Sequence, residues 1–344
     1  MAEWPNAAVL KTVASQGAVS SNLTLSAILL VSLVSSYLGS HHMSSQSSKD
    51  SQIRFINRSL LFVEWTIKMM PRWLIFLFVE SVFPIAWLYM HELKRICIHN
   101  LKFVYGEAQD QKDLEQRSKL YVKSIAYAMM DMIYYVDRPK QLSKITHLEG
   151  EENLKKILEQ GRGAIAVSAH LGNFPLMFIY LAQKGYKVNV IIRNMRDPVF
   201  SKFVFQVCAK WGINMIETSP GKRFLRESLA AIGRNELLFI LLDEIVAPEN
   251  GVKVKFLGRD AIRARGPILF LERTSSPILP MFIAQDEKKQ FRIFVEEPFE
   301  IAKEGSAQEN MIRNITGLST IVECFVKKYP MQWGGWLNKK WASV

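Results

Sequence analysis

The sequence has few cysteines and lacks the spacings that bind metals. Its 344 residues contain three cysteines, Cys97, Cys208 and Cys324, which lie far apart and are odd in number. No disulfide framework or zinc site can be drawn from them, and this usage is typical of a reducing compartment. We therefore expect a protein with no structural disulfide, no bound metal and no other cofactor.

The chain also lacks a glycine-rich phosphate loop, an internal repeat and a recognisable nucleic-acid-binding motif. Hydrophobic residues make up 49% and charged residues 22% of the chain, which excludes a disordered or collagen-like protein. Lys and Arg number 44 against 32 Asp and Glu, giving a net charge of +12. This excess favours an anionic partner, and without basic runs interleaved with aromatics we expect acidic lipid or an acidic carrier rather than nucleic acid.

Charge is absent from residues 12–48 near the N-terminus. Within this stretch, residues 23–38 are apolar but serine-rich, and they are fewer than the ~20 residues that a membrane span needs. A short span, a signal-like segment and an interfacial helix all stay open. Residues 39–43 (GSHHM) resemble a tag followed by a start methionine. We therefore assign 1–50 to a tag-like or hydrophobic leader and base no function on residues 1–42.

A second apolar stretch, residues 73–90, contains one charge, Glu80, and one proline, Pro84. Tryptophans and tyrosine flank or end it, and basic residues lie on both sides, as is typical of a membrane interface. A helix in the interface or a short re-entrant pair fits this pattern, and a core helix of a soluble domain is the alternative. We predict that residues 51–105 form a membrane-associating helical segment on an anionic cytoplasmic leaflet.

The remaining residues, 106–344, predict a single α/β domain. Short apolar runs alternate with amphipathic helical segments, which indicates a sheet with helices on its faces. The predicted strands are residues 164–169, 188–192, 213–216 and 237–242. Residues 252–256 and 290–295 alternate in polarity, and we expect them to be later, antiparallel additions. The predicted fold is therefore α/β, with a mixed central sheet, flanking helices and N-terminal membrane-associated helices.

His170 directly follows the predicted strand 164–169 and precedes a turn and a helix. Ligands of open α/β sheets bind beyond the carboxyl ends of strands, so this position suits a general base. The amides at the start of the helix suit a developing negative charge. Asn173 either caps the turn or contacts substrate. A histidine with a purely structural role is the alternative.

Residues 169–174 (AHLGNF) resemble the signature of the lipid A lauroyl/myristoyl acyltransferase family, part of the lysophospholipid acyltransferase group. Further segments agree with that family in order, and the likeness covers about residues 55–342. They are residues 161–163 (GRG), 193–198 (RNMRDP), 242–244 (LDE), 251–259 (GVKVKFLGR), 261–266 (AIRARG), 276–280 (SPILP), 329–333 (YPMQW) and 339–341 (KKW). No single segment is specific, but the ordered set is.

The resemblance implies transfer of a fatty acyl group from an acyl carrier protein or coenzyme A thioester to a hydroxyl of a lipid A precursor or related glycolipid. It implies the cytoplasmic face of the bacterial inner membrane as the location. Because an alcohol is a weak nucleophile at neutral pH, a positioned imidazole must take its proton, and His170 is the candidate. A glycerophospholipid or mannoside acyltransferase of the same group is the alternative enzyme.

One position departs from the family pattern, in which an acid lies five residues after the histidine. Here that position is Pro175, which cannot orient or stabilise an imidazolium. We expect Asp243 or Glu244, at the end of the strand 237–242, to supply the acid from the same sheet edge. Otherwise catalysis is lost, and the chain is a lipid-binding or partner protein.

Basic side chains in the family-like segments are candidates for substrate binding, together with Asn173. Arg193, Arg196, Arg259 and Arg263 lie in polar turns or beside glycines. Guanidinium groups suit a phosphate of the acceptor or of the carrier's phosphopantetheine, while a solvated basic surface is the alternative. Acyl-chain length, acceptor, donor carrier and oligomeric state stay open at this point.

Overall fold

The structure is a computed structural model that describes residue 66 and residues 69–338, except 107–108, 194–197 and 219–221. The hydrophobic leader, the tag-like residues and the segment 339–341 lie outside the described residues.

The described strands form a seven-stranded sheet and a separate hairpin. The strands are β1 Thr146–Glu149, β2 Ala164–Ser168, β3 Val188–Ile192, β4 Asn214–Glu217, β5 Leu237–Leu241, β6 Gly251–Phe256, β7 Arg259–Ala264, β8 Ile278–Gln285 and β9 Phe291–Val295. The sheet order is β1-β9-β8-β2-β5-β3-β4, and β6 and β7 form the hairpin. All neighbours in the large sheet are parallel except β8 and β9, so the predicted mixed α/β sheet is confirmed.

Helices cover the sheet and precede it. They are α1 Arg72–Tyr89, α2 His91–Tyr105, α3 Gln111–Tyr135, α4 Pro139–Lys144, α5 Glu151–Leu158, α6 Phe174–Gln183, α7 Pro198–Lys210, α8 Lys222–Gly233, α9 Gly266–Thr274 and α10 Ala307–Lys328. The longest C-terminal helix, α10, begins at a capping box in which Ser306 and Glu309 satisfy each other's backbone N–H groups. Two single-turn 3₁₀ helices, Pro330–Gln332 and Gly334–Leu337, follow it.

The strand predictions differ from the structure in two ways. Residues 252–256 are antiparallel as expected, but they pair with β7 outside the main sheet rather than extending it. The strands β1, β7 and β8 were not predicted. The strand β1 has only four residues at a sheet edge, and β8 contains Pro280, a residue that weakens a strand pattern.

The N-terminal helix α1 buries one face and exposes another. Ile75, Val79, Phe83 and Ala86 are spaced by three or four residues and join the hydrophobic core of the sheet. Arg72, in the first turn, holds the helix to α3 through an ion pair with Asp131 at 3.1 Å. The opposite face is apolar and exposed, which leaves 22% of the helix buried.

By length and composition, α1 is the one helix among the described residues that could cross a membrane. Both α1 and α2 share a hydrophobic cluster with the sheet. The boundaries of the predicted domains, 1–50, 51–105 and 106–344, stay predictions, as does the association of the N-terminal helices with a membrane.

Candidate active site

The register of two neighbouring strands brings His170 and Asp243 together. Ser168 at the end of β2 pairs with Leu241 at the end of β5, so residues two positions further along lie level at the carboxyl edge of the sheet. The Nδ1 atom of His170 lies 2.9 Å from Oδ1 of Asp243. The backbone N–H of His170 donates to the same oxygen at 3.1 Å. The sheet topology therefore fixes an imidazole against a carboxylate.

The electrostatics of this pair favour a charged carboxylate beside a basic imidazole. Burial lowers the pKa of His170, but the charge and hydrogen bond of Asp243 outweigh it, so the pKa lies above its ordinary value. Burial raises the pKa of Asp243, and His170 with Trp333 brings it below the ordinary value. When neutral, His170 donates its Nδ1 proton to Asp243 and keeps a lone pair on Nε2.

An ion pair lies on the Nε2 side of the ring. Oε1 of Glu244 is 3.9 Å from Nε2 of His170. Oε2 of Glu244 forms an ion pair with Nη2 of Arg193 at 3.0 Å. Arg193 follows β3, which neighbours β5 in the sheet, so a third strand end contributes to the same edge. The side chains of Arg193 and Glu244 are 30% and 26% exposed, which leaves this side open to solvent.

Two of the predicted substrate-binding residues are used in packing contacts. Asn173 is buried, and its Nδ2 donates to the carbonyl of Ala128 in α3 at 2.6 Å. Arg259 is exposed, and its Nε donates to the carbonyl of Phe103 at the end of α2, at 2.8 Å. Asn173 makes no side-chain cap to α6. Their substrate contacts stay predictions.

Arg263 is fully buried beneath the site, where the sequence predicted a substrate-binding residue near a glycine turn. Its Nη1 donates to the backbone carbonyl of Asp243, and its guanidinium lies 4.0 Å from the ring of Phe256. Burial lowers the pKa of Arg263 to about 10. As placed, Arg263 holds the backbone of Asp243, and a substrate contact by it stays a prediction. Arg196 lies outside the described residues.

The turn after His170 offers fewer free amides than the sequence suggests. The N–H of Leu171 donates to the carbonyl of Ala169 at 2.7 Å, and that of Gly172 donates to the carbonyl of Gln332 at 2.9 Å. Pro175, in the first turn of α6, has no N–H at all. Leu171, Gly172 and Pro175 therefore leave no N–H group for a substrate in this turn.

The C-terminal tail, residues 329–338 after α10, contributes a residue that sequence reasoning missed. The backbone of Trp333 forms an isolated antiparallel bridge with Leu171, and the N–H of Gly334 donates to the carbonyl of His170 at 2.7 Å. From there, Nε1 of Trp333 donates to Oδ2 of Asp243 at 2.9 Å. The sequence marks this tryptophan only as part of the family-like segment 329–333 (YPMQW), which does not indicate what the indole contacts.

Comparison with known proteins shows that the chain is similar to acyltransferases of lipids and glycolipids. The model of the family described as "Bacterial lipid A biosynthesis acyltransferase" matches residues 46–343. The chain is 22% identical over 236 residues to "Lipid A biosynthesis acyltransferase 2" of Shigella flexneri, covering 68% of this chain and 73% of that protein. It is 26% identical over 142 residues to "Phosphatidylinositol mannoside acyltransferase" of Mycobacterium tuberculosis strain H37Rv, covering 41% of this chain and 44% of that protein.

Proposed function

The chain belongs to the bacterial lipid A biosynthesis acyltransferase family, and we propose that it moves a fatty acyl group from an acyl carrier protein or coenzyme A thioester to a hydroxyl of a lipid A precursor or related glycolipid, with His170 as the general base. The predicted family resemblance is confirmed, and the chain is an acyltransferase of lipid or glycolipid substrates. The observation that carries the proposed role of His170 is its 2.9 Å contact with Asp243.

In the proposed reaction, Nε2 of His170 takes the proton of the acceptor hydroxyl as its oxygen attacks the thioester carbonyl. The new C–O bond forms a tetrahedral oxyanion, and Asp243 stabilises the imidazolium. The intermediate collapses with cleavage of the C–S bond, and the leaving thiolate takes the proton from the imidazolium. The products are an ester and a free thiol, so protons and electrons balance.

Asp243 takes the place that the family pattern gives to an acid five residues after the histidine. Pro175 occupies that position here, and the neighbouring strand supplies a carboxylate in contact with Nδ1 instead. This contact supports the enzyme over a catalytically silent lipid-binding protein. Glu244 and Arg193 lie on the Nε2 side, where an arginine is suited to the oxyanion or a substrate phosphate.

The exposed face of α1 supports attachment to the cytoplasmic leaflet of the inner membrane. Large apolar side chains are exposed along it: Trp73, Leu77, Phe78, Ile85, Leu88 and Tyr89. An apolar face of this size is unusual on a surface that contacts water alone, and an amphipathic helix buries such a face among lipid acyl chains. The net charge of +12 suits an anionic leaflet.

A lipid-linked mannose is the second candidate acceptor. The relative from Mycobacterium tuberculosis is a phosphatidylinositol mannoside acyltransferase, and it is similar to this chain over 142 residues. The reaction of His170 with a sugar hydroxyl is the same for a glucosamine-based and a mannose-based lipid. The choice between them depends on the acceptor site and is decided by analysis of product lipids.

Mass spectrometry of lipids tests the proposal in cells that lack the native activity. Cells expressing the wild type should gain one acyl group on a glycolipid, and the added mass gives the chain length and the acceptor. His170→Ala should abolish this species at equal protein level, and Asp243→Ala should strongly reduce it. Glu244→Ala removes the adjacent acid for comparison and should keep most of this species. Full acylation by His170→Ala would contradict the proposed base.

A further inference from the structure

The carboxylate of Asp243 is held from both sides. Its Oδ1 contacts the imidazole and the backbone N–H of His170, while its Oδ2 accepts from the indole of Trp333. A carboxylate with only one oxygen engaged can rotate about its terminal torsion, because that torsion is broad. We propose that Trp333 is a positioning residue that holds Asp243 against His170 and shares the negative charge of its carboxylate. This inference rests on the proposed role of His170 as the base.

Backbone hydrogen bonds of the tail, in addition to side-chain packing, position the indole of Trp333. The tail runs antiparallel to the segment after β2, with Gly334 donating to the carbonyl of His170 and Gly172 donating to that of Gln332. The tail and the base therefore share one hydrogen-bonded ladder. A shift of the tail would move Trp333 relative to Asp243 and His170 together.

Hydrogen bonds with three other elements anchor this tail. The amide of Gln332 donates to the carbonyl of Gln285 in β8 at 2.7 Å and accepts from its N–H at 2.8 Å. Ser124 of α3 donates to the carbonyl of Met331 at 2.8 Å. Asn100 of α2 donates to the carbonyl of Trp336, also at 2.8 Å. Such a set of contacts makes the position of the indole rigid, which is what a positioning donor needs.

The space around the indole is equally restricted. Trp333 is 1% exposed and packs against the ring of Phe256 at 5.6 Å and that of Trp336 at 4.9 Å. A Cβ atom on Gly335 would lie 2.1 Å from the indole, so only glycine leaves room for the ring in this place. Burial also strengthens the hydrogen bond to Asp243, since water cannot replace it.

The direction of the electrostatic effect follows from these contacts. The donor of Trp333 withdraws negative charge from the carboxylate and lowers the pKa of Asp243. Without that donor, the whole charge of Asp243 acts on the imidazolium, which is the form that a nearby anion stabilises. The pKa of His170 should therefore rise further, and less of the base is neutral at a given pH.

Two tryptophans whose indole N–H groups have different acceptors test the proposal. Trp211 is half-buried, its Nε1 donates to the carbonyl of Val136 rather than to Asp243, and it packs in a different hydrophobic cluster from Trp333. We would measure kcat and the pH dependence of kcat/KM for Trp333→Phe and Trp211→Phe with a purified acyl thioester donor. Trp333→Phe should lower kcat about tenfold to hundredfold, a part of the ~10²- to 10⁴-fold contribution of a general base, with little change in KM. The acid limb, at which kcat/KM falls on the acidic side, should move to higher pH in Trp333→Phe and stay in place in Trp211→Phe.

Two further measurements separate the possible failures. Replacing Trp333 with benzothienylalanine removes the N–H but keeps the ring volume, so it tests the donor even if Trp333→Phe does not fold. An acid limb that remains at the wild-type pH in this variant overturns the proposal, and so does an equal displacement in Trp211→Phe. A limb displaced to lower pH would mean that the carboxylate has left the imidazole, which supports positioning but not charge sharing. If His170→Ala keeps full activity, the proposed base fails and the inference about Trp333 fails with it. If His170→Ala is inactive and the acid limb of the Trp333 variant is unmoved, only the role of Trp333 fails.

Discussion

Oδ1 of Asp243 accepts two hydrogen bonds from one residue, one from the backbone N–H and one from the Nδ1 atom of His170. Because one oxygen contacts both groups, the position of the imidazole is fixed relative to the main chain at the end of β2. The ring therefore keeps its Nε2 atom toward the edge of the sheet where Arg193 and Glu244 lie. Several consequences of this geometry can be measured.

Removal of the charge on Asp243 should shift the pH dependence of the reaction. Asp243→Asn keeps the shape of the side chain but removes the anion that raises the pKa of His170. The base is neutral above its pKa, so the acid limb of kcat/KM should move to lower pH. The maximal kcat should fall about 10²- to 10⁴-fold, because the imidazolium loses its partner. If the acid limb of the pH–rate profile is unchanged in Asp243→Asn, then Asp243 does not influence the catalytic base.

Glu244 should have a smaller effect in the same direction. Its charge also raises the pKa of His170, but from 3.9 Å and with Arg193 as a competing partner. Glu244→Gln should move the acid limb slightly to lower pH and keep most of kcat. The same profile recorded beside Asp243→Asn checks this, and a larger displacement for Glu244→Gln would reverse the assignment of the two acids.

Arg193 should contribute to binding of the anionic parts of the substrates. Arg193→Ala should raise KM about tenfold, with a smaller loss of kcat, since a charge-assisted hydrogen bond is worth about 1.5–3 kcal/mol. Arg223→Ala is a suitable control because Arg223 is exposed on α8 and pairs with Glu227 of its own helix. Equal KM values for the two variants would remove Arg193 from the binding site.

The stability of the fold should depend on pH through His170. The pKa of His170 is raised in the folded state, so protonated His170 stabilises the fold below the unfolded-state pKa, and this contribution is lost as the pH rises through the folded-state pKa. His170→Gln lacks this term. The difference in unfolding free energy between the wild type and this variant should be larger at acidic than at alkaline pH, measured by urea unfolding. A constant difference would contradict the raised pKa.

The exposed face of α1 should govern binding to lipid vesicles. Leu77→Glu with Ile85→Glu places two charges on this face and should reduce co-sedimentation with anionic vesicles at least about tenfold, since each buried apolar side chain contributes about 1.5–3 kcal/mol. Ile312→Glu is the matched control, because Ile312 is an exposed apolar residue on α10. Equal loss of binding in the control would argue against a specific membrane face.

The local sequence is enough to predict the strand, turn and helix around His170, because the apolar run and the positions of glycine and proline are local signals. The sequence limits the acid that contacts His170 to Asp243 or Glu244, but it does not distinguish between the two. That choice depends on β2 and β5 being neighbours, although β3 and β4 lie between them along the chain. Strand order is set by the packing of the whole sheet, which no local pattern reports.

Two other residues show the same limit from different causes. Arginine is usually exposed, so the sequence alone predicts that Arg263 lies at the surface. Its burial depends on the carbonyl of Asp243 and the ring of Phe256, which the fold brings together. Trp333 is far along the chain from both members of the pair that it joins, so its role depends on the path of the tail after α10. Resemblance to the family pointed to both segments without giving their contacts.

The central claim is that the imidazole of His170 takes the proton of the acceptor hydroxyl. Release of free thiol from an acyl thioester, measured with purified enzyme and a lipid A precursor, tests it most directly. We predict that His170→Ala loses at least about 10²-fold in rate while its unfolding temperature stays close to that of the wild type. His147→Ala, an exposed histidine on β1, should keep the full rate. Thiol release by His170→Ala at the wild-type rate would contradict the account.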